Sequence, residues 1–162
     1  MSQSAHDFAF TAIDGKDLPL AQFKGKAVLV VNTASQCGFT PQYAGLEQLW
    51  RNYAARGLVV LGVPCNDFGA QEPGSAAEIQ NFCTSRFRVD FPMTGKVAVI
   101  GAGAHPFYRW IVGELGEDQA PRWNFHKYLI DPDGHLAGAF PSRVQPEAKE
   151  LTAAIEAVLP SP

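Results

Sequence analysis

The sequence predicts an α/β protein, a mixed sheet with helices on both faces, and three observations predict it. Residues 27–32 (AVLVVN) and 58–63 (LVVLGV) are continuous β-branched runs, as expected of strands covered on both sides. Between them, Tyr43, Leu46, Leu49, Trp50 and Tyr53 recur at helical spacing. Near the C-terminus, Asp131-Pro132-Asp133-Gly134 is a turn signal between two further strand candidates. A length of 162 residues suits one domain spanning 1–162 with one substantial core.

The elements follow in order. Residues 8–12 and 17–20, around Asp14-Gly15, predict a small extra hairpin ahead of the sheet. The first core strand, 27–32, leads into a helix over 41–56. Thr40 is placed as its N-cap, Pro41 at its first position and Gly57 as its stop. The second strand, 58–63, completes a right-handed βαβ crossover with parallel strands. Residues 75–86 predict a helix capped by Ser75, with Ile79, Phe82 and Phe87 on one side. Further helices are expected at 105–113 and 146–159, and strands 125–131 and 135–140 form an antiparallel hairpin.

Composition narrows the function. Apolar residues make up 46% and charged residues 18%, an ordinary globular balance. A net charge of −3 argues against a nucleic-acid surface or a polybasic membrane patch. The first seven residues lack the basic-then-apolar pattern of a secretion signal, and the longest apolar run, 27–31, is too short to cross a bilayer. These features lead to the expectation of a soluble cytoplasmic protein. Three cysteines, Cys37, Cys65 and Cys83, do not make a structural disulfide framework.

Cys37 follows the carboxyl end of the first core strand and precedes a helix, the edge where open α/β sheets place their chemistry. A helix N-terminus offers unpaired N–H groups and partial positive charge, which favour a thiolate. Polar Asn32, Thr33, Ser35 and Gln36 before it argue against a packed apolar setting. Ionisation alone is a modest gain: a free cysteine is about 3% thiolate at pH 7, so full ionisation is worth roughly thirtyfold. A thiolate that displaces an oxygen leaving group also needs donors at that oxygen, where negative charge builds. Two turn-prone segments carry amide or indole N–H groups: residues 64–74, after the second strand, and 122–125, before the third. Gln71 alone reads as a solvated loop residue and Trp123 alone as a packing residue, and spacing does not assemble them into a site.

Asn32-Thr33-Ala34-Ser35-Gln36-Cys37-Gly38-Phe39-Thr40, then Pro41-Gln42-Tyr43, resembles the first signature of the glutathione peroxidase family. Leu61 through Gly69 with Gln71-Glu72-Pro73-Gly74 resembles the second, and Trp123-Asn124-Phe125 with Lys127 and Leu129 the third. The resemblance covers nearly the whole chain. It implies a thioredoxin-like fold, no cofactor, and a tetrad of Cys37, Gln71, Trp123 and Asn124, with Cys37 oxidised to sulfenic acid by hydrogen peroxide or an organic or lipid hydroperoxide. One departure is Asp67, where the family usually has glutamine; a negative charge there would bear on the site if it faced the thiol.

Phe82-Cys83-Thr84-Ser85-Arg86-Phe87, followed by Phe91-Pro92, resembles the helix that carries the resolving cysteine in thioredoxin-dependent members. By that resemblance Cys83 attacks the sulfenic acid and thioredoxin reduces the disulfide, with glutathione as the alternative reductant. A disulfide needs Cα atoms within roughly 7 Å, so a helical Cys83 distant from the site would require local unwinding. Cys65 belongs to the second signature and reads as structural. The compact stretch between Phe91 and Trp123 lacks the long loop of tetrameric members, which by analogy implies a monomer.

The histidines, His6, His105, His126 and His135, form no zinc-ligand pattern, and residues 101–103 (GAG) lack the strand-to-helix setting of a nucleotide loop. His126 reads as an exposed or edge-strand residue, and Lys127 and Arg122 as surface charge within reach of an acidic thiol or a partner's negative patch. Cys37-Gly38-Phe39-Thr40 contains no CxxC or CxxxC, which disfavours a copper-delivery protein or a disulfide oxidoreductase. A redox relay, passing oxidation from Cys37 and Cys83 to a client, remains the alternative from another functional class.

Overall fold

A computed structural model describes residues 3–160. The central sheet has four strands in the order β4-β3-β5-β6: β3 (Ala27–Thr33), β4 (Leu58–Pro64), β5 (Lys127–Ile130) and β6 (Leu136–Phe140). A separate antiparallel pair, β1 (Ala9–Thr11) and β2 (Asp17–Pro19), forms the expected N-terminal hairpin. β3 runs parallel to β4 and antiparallel to β5, so the sheet is mixed.

Side chains alternate across β3, β4 and β5 because successive residues of a strand point to opposite faces. Val28, Val30, Val59, Leu61, Val63, Tyr128 and Ile130 face one apolar layer, filled by helix α3 (Pro106–Leu115) and the N-terminal hairpin. Ala27, Leu29, Val31, Leu58, Val60 and Leu129 face the other, filled by helices α1 (Gln42–Tyr53), α2 (Ala76–Phe87) and α4 (Lys149–Val158). Covering both faces is what the continuous apolar runs required.

The helix ends differ in how well the sequence announced them. Ser75 caps α2 as expected, its hydroxyl accepting from Glu78 N–H while the Glu78 carboxylate accepts from Ser75 N–H. Thr40 does not cap α1. Pro41 occupies the cap position without a side-chain bond, because the Thr40 hydroxyl is engaged inside the preceding turn, accepting from Cys37 N–H and donating to the Ala34 carbonyl, both at 2.9 Å. Past α1 a short 3₁₀ turn, Ala54–Arg56, leads to Gly57, whose φ of 99° ends the element as a left-handed stop. In the β5–β6 turn, Asp131 Oδ1 accepts from the N–H groups of Asp133 and His135, and Gly134 takes a φ of 92°.

Candidate active site

Topology assembles the site. The carboxyl ends of parallel β3 and β4 and the amino end of antiparallel β5 meet at one edge, with Val31 opposite both Gly62 and Lys127. The turn bearing Cys37, the loop after β4 and the segment before β5 therefore converge, although Cys37 and Asn124 are far apart in sequence.

Asn32, at the end of β3, stitches two of these segments together. Its Nδ2 donates to the Trp123 carbonyl (3.0 Å), its Oδ1 accepts from His126 N–H (3.1 Å), and its backbone carbonyl accepts from Phe125 N–H (2.6 Å). Phe125 pays for this tight junction with a φ of 65°, a left-handed conformation that costs a bulky residue about 1 kcal/mol or more. The third segment is tied in by Gln36 N–H, which donates to the Gln71 carbonyl at 3.1 Å, one residue from Cys37.

The donors expected from the family resemblance are interlocked. Asn124 Nδ2 donates to Gln71 Oε1 at 3.0 Å, which occupies the acceptor end of the Gln71 amide. Asn124 is fully buried and Trp123 is 36% exposed, its indole packed on the Phe68 ring with centroids 5.7 Å apart. Gly69, with a φ of 68°, passes beneath: a Cβ there would sit 3.2 Å from Trp123 Cη2, so this position suits glycine on two grounds. The loop is braced from outside. Asn66 Oδ1 accepts from Glu72 N–H, and Lys96 Nζ donates to the carbonyls of Glu72 and Gly74.

Cys37 lies in a turn, is 8% exposed, and its Sγ accepts from Phe39 N–H at 3.3 Å. The fixed turn holds that amide at the sulfur, an interaction that strengthens when the sulfur is charged. The preceding residues, Ser35 and Gln36, border a cleft of about 340 Å³ with Glu72 and the α2 residues Ile79 and Phe82.

The other two thiols are more enclosed. Cys65 is fully buried in the layer beneath α3, and desolvation pushes it up to about 12. It faces away from Cys37 and Cys83, which share the opposite layer. Cys83 is 1% exposed within α2; burial pushes it up to about 11, the Glu72 carboxylate adds to that rise, and the Tyr43 hydroxyl works against it. All three are free thiols.

Asp67, whose bearing on the site was open, is exposed and engaged on backbone amides: its Oδ2 accepts from Val99 N–H (2.6 Å) and Ile100 N–H (3.3 Å), clamping the loop after residue 98. Two expectations about charge are corrected. Lys127 is not surface charge. It is fully buried, Nζ donates to the carbonyls of Ser142 and Val144, and desolvation pulls its pKa down to about 7. His126 is neither exposed nor on an edge, because β5 is an interior strand; its ring stacks on Tyr128 (4.9 Å), and burial pulls its pKa down to about 4. Arg122 is exposed, as expected, with its guanidinium donating to the Asp118 carbonyl.

A thiol on the turn at the carboxyl edge of a mixed sheet, with the Gln71 loop and the Trp123-Asn124 segment converging on the same edge, stands on a thioredoxin-like scaffold. A thioredoxin-family thiol:disulfide interchange protein of Chlorobium tepidum superposes with a TM-score of 0.70 over 98% of this chain and 97% of its own; at 20% identity it shows the fold alone. The model of the glutathione peroxidase family matches residues 5–112. The hydroperoxy fatty acid reductase gpx1 of Synechocystis sp. is 43% identical, over 98% of this chain and 97% of that protein. The solved apo structure of Trgpx is 38% identical with a TM-score of 0.76, each chain covered completely. The chain belongs to the glutathione peroxidase family and is a peroxidase that reduces hydroperoxides. Among the described residues no helix is long and apolar enough to cross a membrane.

Sequence reasoning missed the brace at Asn32, the Thr40 clamp on the Cys37 turn, and the burial of Glu72. Of these, Asn32 left a signal, as a polar residue ending an apolar strand.

Proposed function

We propose that Cys37 is the peroxidatic nucleophile, that Gln71, Trp123 and Asn124 donate to the leaving oxygen, and that Cys83 resolves the product for thioredoxin. The Cys37 thiolate attacks the terminal peroxide oxygen, forming an S–O bond and breaking O–O; the departing alkoxide or hydroxide takes up a proton and leaves as alcohol or water. The Asn124–Gln71 bond is the observation that carries the reading. With its carbonyl oxygen occupied, Gln71 keeps Nε2 available to the developing negative charge without reorganisation.

Cys83 then attacks the Cys37 sulfenic sulfur, the S–O bond breaks, and hydroxide leaves as water with the proton that Cys83 gave up. A dithiol such as thioredoxin restores both thiols by exchange; glutathione is the slower alternative in this reading. Support for Cys83 comes from its place in the same apolar layer as Cys37, whereas Cys65 lies across the sheet. The enzyme acts as a monomer, a single domain over 1–162, in the reducing cytoplasm, and takes hydrogen peroxide as well as organic and lipid hydroperoxides.

Peroxide consumption by the wild type and by Cys83→Ser, each with thioredoxin and its reductase and then with glutathione, tests this. The wild type turns over with thioredoxin, and Cys83→Ser reduces one equivalent and stops. Full thioredoxin-supported turnover by Cys83→Ser would remove the resolving assignment. Cys37→Ser consumes no peroxide with either reductant.

A further inference from the structure

The turn that carries Cys37 is anchored at both ends. At the near end, Asn32 bonds the Trp123 carbonyl and Gln36 N–H bonds the Gln71 carbonyl. At the far end stands Gln42, the buried first residue of α1, whose Nε2 donates to the Ser142 carbonyl at 2.7 Å. Gln42 Oε1 has no partner among the described residues, so this bond is the side chain's polar tie. The same Ser142 carbonyl accepts from Lys127 Nζ at 3.2 Å. Gln42 lies five residues after Cys37, and Lys127 three residues after Asn124. One carbonyl therefore joins the nucleophile's turn to the donor segment.

Packing presses the same pieces together. Residues 141–147 run between β6 and α4, with Val144 N–H folded back onto the Pro141 carbonyl. α1 meets this strap at Gly45, where a Cβ would stand 3.0 Å from Pro146 Cβ and 2.8 Å from Glu147 Oε2. A methionine at 127 would fill similar space without the desolvation cost of an amine, so packing alone does not call for lysine. Directed hydrogen bonds from its amine to Ser142 and Val144 do what packing does not: they fix a distance.

We propose that Gln42 and Lys127 are positioning residues for peroxide reduction, setting through the shared Ser142 carbonyl the spacing between the Cys37 turn and the Trp123-Asn124 segment. The proposal rests on the reading of Cys37 as nucleophile and of Gln71, Trp123 and Asn124 as donors. Neither positioning residue touches the peroxide. Sulfur, the attacked oxygen and the donors must be aligned at once, and a small shift of either segment weakens the donors' hold on the leaving oxygen.

The test uses the full chain in the Cys65→Ala/Cys83→Ser background, where Cys37 is the one thiol left. Its rate constants with hydrogen peroxide and with iodoacetamide are measured in parallel. Both reactions use the same thiolate, so a change in ionisation cancels in their ratio, and iodide leaves without help from hydrogen-bond donors. Gln42→Met and Lys127→Met should each lower the peroxide rate about tenfold while alkylation stays level. Because both close on one carbonyl, the double variant should lose far less than the product of the single losses. General loosening of the fold would instead raise alkylation, and Gln42→Met alone tests the clasp if Lys127→Met does not fold. Gln71→Ala is measured alongside. If it lowers the ratio and the clasp variants leave it unchanged, this proposal falls alone. If Gln71→Ala also leaves the ratio unchanged, the donor reading falls and this proposal with it.

Discussion

The turn that carries Cys37 and the helix that carries Cys83 adjoin the same apolar layer, and they treat a thiol in opposite ways. Cys37 sits among backbone groups that the turn holds open, with Phe39 N–H on its sulfur and the Thr40 hydroxyl locking its own amide. Cys83 sits among apolar side chains with a carboxylate nearby, and its thiol is pushed up to about 11. The difference separates the two half-reactions. On the proposed mechanism, the first takes place at a turn already built, whereas the second uses a thiol that lies within a formed helix. Termination of α2 by Arg88 in a left-handed conformation (φ 53°) makes the end nearest Cys83 the less favourable end of that helix.

The largest effects that would sharpen this contrast lie on the Cys37 side. Gln71→Ala or Asn124→Ala should lower kcat/KM for peroxide by about 10²-fold each, as for loss of one fixed donor. Because the two side chains are bonded to each other, the double variant should lose much less than the product of the single losses. Strict multiplicativity in stopped-flow peroxide kinetics would show that they act separately and break the picture of a prebuilt donor pair.

A second prediction concerns the buried base of the sheet. The Lys127 amine has its ordinary value of 10.5 lowered to about 7, so between these pH values the unfolded chain binds the extra proton. Stability from this group therefore rises as pH increases across that window. Relative to Lys127→Met, the wild type should gain up to about 1.4 kcal/mol per pH unit between about 7 and 10.5. Parallel denaturation curves at every pH would show that the amine is charged in the fold.

The smallest effect belongs to Cys65. It is buried and lies on the other face, so Cys65→Ala should leave peroxide turnover with thioredoxin unchanged while costing about 1–2 kcal/mol of stability. Loss of thioredoxin-supported turnover in that variant would mean that the sheet does not isolate this thiol.

Much of this organisation was legible in the amino-acid order. Two apolar β-branched runs dictate buried parallel strands around a helix, Ser75 with Glu78 dictates where α2 begins, and Asp131 to Gly134 dictates the hairpin. The motifs around Cys37, Gln71, Trp123 and Asn124 carried the family, since local residue types suffice to identify a signature. Contacts between distant segments were another matter. The Asn124–Gln71 bond and the Asn32 brace depend on strand register and loop placement, which bring together residues with no fixed spacing. Charge was misread for the same reason. Lys127 and His126 are polar letters in the sequence, and only the interior position of β5 decides that both are desolvated.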